Sequence, residues 1–146
     1  MKKLLSLCTP LFETADFHKL VRSQNEYLNG VYKSYIEDTN PLYNKILSLV
    51  QKPIDNIPSD FQPTIKLLKY NEGAVANLHL DDCDYGTSII LIESSKDLQG
   101  GETCIRTNKF EIISMQPGDH VFHPKGRWHG VTEITKGYRK VLVLVW

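Results

Sequence analysis

From residue 64 to residue 146 the chain is a succession of short β-branched and apolar runs separated by turn signals, with no helical stripe of comparable length. The runs fall at 64–70, 74–80, 87–92, 102–106, 110–115, 120–123, 128–134 and 138–146. Turn chemistry separates them at Asn71-Glu72-Gly73, Gln99-Gly100-Gly101, Pro117-Gly118 and Lys136-Gly137. Eight strands at this spacing point to a jelly roll, a double-stranded β-helix. The first part reads differently. Phe17, Leu20, Val21, Tyr27, Leu28 and Val31 recur at spacings of three and four, with Thr14 or Asp16 as N-cap, so one helix is expected there. Asn40-Pro41 reads as a cap followed by proline at the first helical position, and Leu42, Ile46, Leu47 and Val50 form the stripe of a second helix. Pro53, Pro58 and Pro63 punctuate the loop that follows. The expected fold class is therefore α+β, mainly β: a jelly roll of about eight strands over 64–146, with amino-terminal helices over about 14–52 packed on one sheet, in a single domain spanning 1–146.

Composition narrows what such a domain can do. With 146 residues the chain is long enough to bury roughly 68–70% of its unfolded surface, so it needs no disulfide scaffold. Seventeen Lys and Arg balance seventeen Asp and Glu, which leaves no positive field to hold nucleic acid or a membrane surface. Cys8, Cys83 and Cys104 are odd in number and lack framework spacing, as in a reducing compartment. Residues 1–8 imitate the start of a signal peptide, but Pro10 and Glu13 interrupt the apolar run and no cleavage site follows. A cytoplasmic or otherwise intracellular location is expected. The longest apolar run, 141–146, is far short of the ~20 residues that span a bilayer.

Among five histidines, His79-Leu80-Asp81 stands out, because residues i and i+2 of a strand project to one face about 6.5–7 Å apart. Both side chains could reach one metal ion; a surface ion pair at a strand end is the plainer alternative. His129, at the start of a later run, is a candidate third ligand. Two histidines and one carboxylate on one face of an octahedral ion leave three positions open, which suits non-haem Fe(II) better than structural zinc. His123 competes for the third place, while His120, three residues before it, points to the other face. A core histidine satisfied by backbone remains an alternative for either. His18 reads as a surface residue of the first helix.

Arg139 completes the set. If 135–137 form a three-residue hairpin loop, Ile134 faces Tyr138 and His129 faces Val143, which puts Arg139 on the side of His129 and about 13 Å of strand away. A five-carbon dicarboxylate chelating the ion could then reach the guanidinium with its far carboxylate. The same register sets Glu133 across from Arg139, where a cross-strand ion pair would account for the arginine without a ligand.

These stretches, in this order, resemble the 2-oxoglutarate and Fe(II)-dependent dioxygenases, specifically the prolyl 4-hydroxylase-like branch. The similarity lies in Tyr70-Asn71-Glu72-Gly73 leading to His79-Leu80-Asp81, in Gly100-Gly101-Glu102-Thr103, in Pro117-Gly118-Asp119 with Val121-Phe122, and in His129-Gly130-Val131 with Gly137-Tyr138-Arg139. The resemblance implies that His79, Asp81 and His129 hold Fe(II), that Arg139 binds the distal carboxylate of 2-oxoglutarate, and that Tyr70 lines the cosubstrate pocket. It further implies O₂ as cosubstrate, ascorbate as a reductant, and hydroxylation of an unactivated carbon with release of succinate and CO₂. The implied substrate is a proline-bearing peptide or protein, or a small amino acid. Ala76, Leu91 and Glu133 depart from the family pattern. Two other readings use the same barrel: a cupin-type metal enzyme without 2-oxoglutarate, and a binding module without turnover. Cys83, two residues past Asp81, reads as a small strand-end residue rather than a redox thiol.

Overall fold

A computed structural model describes residues 1–21 and 27–146. Its elements are α1 (Lys2–Cys8), α2 (Leu11–Thr14), β1 (His18–Leu20), β2 (Leu28–Ile36), α3 (Pro41–Leu49), β3 (Thr64–His79), β4 (Gly86–Ser94), β5 (Thr103–Arg106), β6 (Phe110–Ile113), β7 (His120–Pro124), β8 (Trp128–Val131) and β9 (Arg139–Val145). The nine described strands form one curled antiparallel sheet in the order β6-β5-β8-β3-β9-β4-β7, with β2 on β3 and β1 on β2. This is the expected mainly β jelly roll with a helical layer on one face.

Period-two alternation decides what each strand faces. In β3, Ile65 and Leu67 point to the helices while Leu68 and Tyr70 point the other way. In β9, Leu142 and Leu144 join the helical side, and Val141 and Val143 the opposite one. Leu4 and Cys8 of α1, Phe12 of α2 and Tyr43 and Ile46 of α3 close the first core. The second core forms the floor of a cavity inside the curled sheet. The α3 cap is as expected: Asn40 is extended, its side chain accepts a hydrogen bond from Leu42 N at 2.9 Å, and Pro41 starts the helix.

Two expectations fail. The helix expected from residue 14 is instead a strand pair, β1 with β2, preceded by the short helices α1 and α2; its stretch 22–26 lies outside the described residues. Residues 31–36 pair with β3 from Val31↔Tyr70 to Ile36↔Ile65, a ladder that local spacing does not announce. Gly30, at φ +72°, also breaks any helix through that point. The turn expected at 71–73 is not a reversal. There β3 runs on through a bulge, with 71–74 opposite Gly30, and Gly73 takes φ +84°. The kink is held from the side: Gly73 N donates to Ile134 O at 2.8 Å and Ile134 N to Ala74 O at 2.9 Å. Below it β3 pairs with β9, from Thr64 to Tyr70; above it β3 pairs with β8. One strand thus belongs to both walls of the cavity. Among the described residues no helix is long and apolar enough to cross a membrane.

Candidate metal centre and its cavity

His79, the last residue of β3, lies directly across from His129 of β8, with ring centroids 4.6 Å apart. Each ring is held by the backbone carbonyl two residues before it. The Nδ1 of His79 is 2.6 Å from Asn77 O and that of His129 is 2.9 Å from Arg127 O. These contacts turn both Nε2 atoms toward Asp81, the orientation in which they would face a shared metal ion. Asp81, just beyond β3, sits between them: Oδ1 is 3.2 Å from His79 Nε2 and Oδ2 is 3.0 Å from His129 Nε2. Thr87 of β4 donates to Oδ2 at 2.7 Å. One donor atom from each of His79, Asp81 and His129 lies within 4.8 Å of the others, and both histidines are buried. Burial alone would raise the Asp81 pKa, but hydrogen bonds from His129, His79 and Thr87 outweigh it and hold the carboxyl well below the usual carboxylate range.

His123, the rival third residue, stacks flat on His129, with centroids 4.2 Å apart and planes 9° apart, and is not one of the converging three. It is buried, and its Nδ1 has no hydrogen-bond partner. Burial, followed by the neighbouring His129, pulls its pKa down to about 3. His120 takes the opposite face, as expected, and meets the Ser88 hydroxyl at 2.7 Å. His18 is exposed on β1 rather than on a helix. Cys83 is half-buried, its Sγ 3.7 Å from Asp81 O, with its pKa raised first by burial and then by Asp81.

The hairpin expected between β8 and β9 is absent. Instead β8 pairs with β5 and β3, and β9 pairs with β3 and β4, because β3 takes the place between them. Glu133 therefore does not face Arg139, whose register partners are Tyr70 and Ser94. Arg139 is 2% exposed. Its Nη1 donates to Gly101 O, its Nη2 to Thr103 Oγ1 at 2.9 Å, and its guanidinium carbon lies 5.9 Å from the Tyr70 ring centroid. No carboxylate lies within 4.0 Å of it among the described residues, and its Nε has no partner. Burial lowers its pKa, and pushes that of Tyr70 up to about 12. Lys140 does carry ion pairs, with Glu93 at 3.0 Å and Glu13 at 3.8 Å.

The guanidinium and the histidines line one cavity. Their spacing follows from register. Thr103 of β5, which holds Arg139, is opposite Val131, and Ile105 is opposite His129. Arg139 is therefore anchored two strand residues, about 7 Å, from the level of the histidine pair. Leu68, Ala76, Ile89, Val131, Val141 and Val143 line the space between. Sequence reasoning missed Thr87, Thr103 and Lys66, all of which line this cavity. For Lys66 a signal existed, since it lies four residues before Tyr70 on the same strand and so shares its face. Burial lowers the pKa of its ammonium.

No protein-family model matches the sequence, and no curated protein matches it. Solved structures do match in fold. A Pseudomonas putida prolyl-4-hydroxylase aligns over 99% of this chain and 83% of its own, at 16% identity and a TM-score of 0.74. An oxidoreductase of the 2OG-Fe(II) oxygenase family from Burkholderia pseudomallei aligns over 97% and 77%, at 14% identity and a TM-score of 0.73. The viral collagen prolyl hydroxylase of Paramecium Bursaria Chlorella virus-1 aligns over 97% and 88%, at 15% identity and a TM-score of 0.69. Cupin barrels align less closely, at TM-scores of 0.52 to 0.56. The chain therefore has the jelly-roll fold of the 2OG-Fe(II) oxygenases and prolyl 4-hydroxylases, and carries within it a converging His-Asp-His cluster.

Proposed function

We propose that this protein is an Fe(II)- and 2-oxoglutarate-dependent dioxygenase of the prolyl 4-hydroxylase-like kind, hydroxylating a carbon of a peptide or protein substrate. The observation that carries the reading is Arg139: a buried guanidinium without a carboxylate partner, anchored about 7 Å along the wall from His79, Asp81 and His129. A buried cation left unpaired is costly, and a dianion spanning guanidinium and metal removes that cost. In this reading the Nε2 atoms of His79 and His129 and the Asp81 carboxylate hold the ion. Asn77 O and Arg127 O fix the two rings, and Thr87 orients Asp81. Gly101 O and Thr103 hold the guanidinium for the distal carboxylate of 2-oxoglutarate, and Tyr70 walls that end of the pocket. Bound Fe(II) would supply O₂ activation coupled to decarboxylation of the 2-oxo acid to succinate and CO₂. The apolar side chains between the two ends keep water from the reacting region. A peptide substrate is supported by the prolyl hydroxylases among the fold relatives and by the shortness of the segment between Asp81 and β4.

Anaerobic titration tests this. Fe(II) with 2-oxoglutarate should give the visible charge-transfer band of a chelated 2-oxo acid, and succinate should form once air and a proline-containing peptide are admitted. Bound Fe(II) with no band would favour the cupin-type reading, in which Arg139 has no cosubstrate to hold.

A further inference from the structure

The cavity contains a second cation that the proposed chemistry leaves unused. Lys66 sits on β3 across from Val143 of β9, and Val143 in turn faces Ile89 of β4, so the lysine lies in an apolar row of the floor. It shares the inner face with Leu68 and Tyr70, and Arg139 pairs with Tyr70 four residues further along. Two positive side chains thus stand at separated places on one floor, about 13 Å apart along the strand. Lys66 makes no ion pair within 4.0 Å among the described residues. Asp81, the carboxylate that lines the same cavity, is engaged elsewhere: Oδ1 meets His79, and Oδ2 meets His129 and Thr87.

Charge balance sharpens this. With the site loaded, the two charges of Fe(II) and the one of Arg139 offset the single charge of Asp81 and the two of 2-oxoglutarate. Lys66 is then the one uncompensated charge in a largely apolar chamber, on the metal side and away from the cosubstrate anchor. We propose that Lys66 binds a carboxylate of the substrate being oxidised, so that the substrate class is a carboxylate-bearing molecule; this rests on the oxygenase reading of the site. The carboxylate belongs either to a free amino acid or chain terminus, or to an acidic residue beside the target in a peptide.

Calorimetric titration of the full chain, loaded anaerobically with Fe(II) and 2-oxoglutarate, tests the assignment with matched probes. One pair is N-acetylproline and N-acetylprolinamide; the other is a capped glutamyl-prolyl-glycine peptide and its glutaminyl counterpart. The acid of at least one pair should bind ten-fold or more tightly than its neutral partner, and the pair that shows the preference names the source. Lys66→Met keeps the apolar stem and should bring acid and neutral probe within two-fold of each other, whereas Lys66→Arg should retain the preference. An acid preference that survives Lys66→Met, or no preference in either pair, overturns the proposal. The charge-transfer band recorded on the loaded chain separates the two readings. Acid preference through Lys66 without a charge-transfer band would defeat the oxygenase reading alone, and a band without acid preference would defeat this one alone.

Discussion

At the scale of single residues, Arg139 is a buried cation held by Gly101 O and Thr103 Oγ1, with no carboxylate within 4.0 Å among the described residues. Arg139 shares a cavity with the histidines, but through β3 and β5 rather than through a hairpin, and its imagined competitor Glu133 is elsewhere. Arg139→Ala should therefore raise the 2-oxoglutarate requirement by about 30-fold, ~2 kcal/mol, for the loss of a charge-assisted contact. Fe(II) affinity should stay within three-fold, and Glu133→Ala should leave 2-oxoglutarate binding unchanged within two-fold; titration of the charge-transfer band reads all three. His123 contributes to the pH dependence of stability on the acid side. Its pKa is about 3 against an ordinary 6.5, so between those values the unfolded chain takes up a proton that the folded chain refuses. Stability contributed by His123 is whole above about 6.5, falls as pH drops, and is spent near 3. His123→Phe should flatten that fall by up to ~1.4 kcal/mol per pH unit, measured by denaturant unfolding between pH 6 and 4.

Among the elements, β3 and β8 set the metal cluster. The cluster needs His79 across from His129, and that register depends on close approach of the two backbones at Gly130. A Cβ there would lie 2.4 Å from Ala76 O and 3.1 Å from the Asn77 carbonyl carbon. These are backbone atoms that cannot swing aside. Gly130→Ala should cost ~1–3 kcal/mol of stability and lower Fe(II) affinity more than ten-fold, because it displaces both His129 and the Asn77 carbonyl that holds His79. Thermal melting and metal titration check the two effects. The same elements tell what sequence pattern conveys. Asn40-Pro41 announced α3 because a cap is local chemistry, with donor and acceptor two residues apart. Strand β2 escaped because its evidence is the ladder to β3, whose partners lie 29 to 48 residues away, while its apolar spacing happened to fit a helix.

For the molecule as a whole, the curled sheet separates stability from site: Ile65, Leu67, Leu142 and Leu144 face the helices, and their neighbours face the cavity. Ile46 of α3 is fully buried on the helical side. Ile46→Ala should cost ~2–5 kcal/mol in denaturant unfolding while the folded fraction keeps its Fe(II) affinity, since Ile46 belongs to the core cluster on the helical side and not to the one that lines the cavity. The jelly roll itself was legible in the sequence, because alternation and turn residues are local consequences of a half-buried sheet, and eight such runs leave few ways to bury their apolar faces. The nearness of His79 to Asp81 was legible for the same reason, as two residues on one strand end. What only the tertiary structure decided is how the strands close. It put β3 between β8 and β9, set Arg139 against Thr103 rather than Glu133, and placed Lys66 in the same chamber. Periodicity fixes the face a side chain takes, but the neighbour it meets depends on long-range pairing, which β3 could make with both walls only by bending at its bulge.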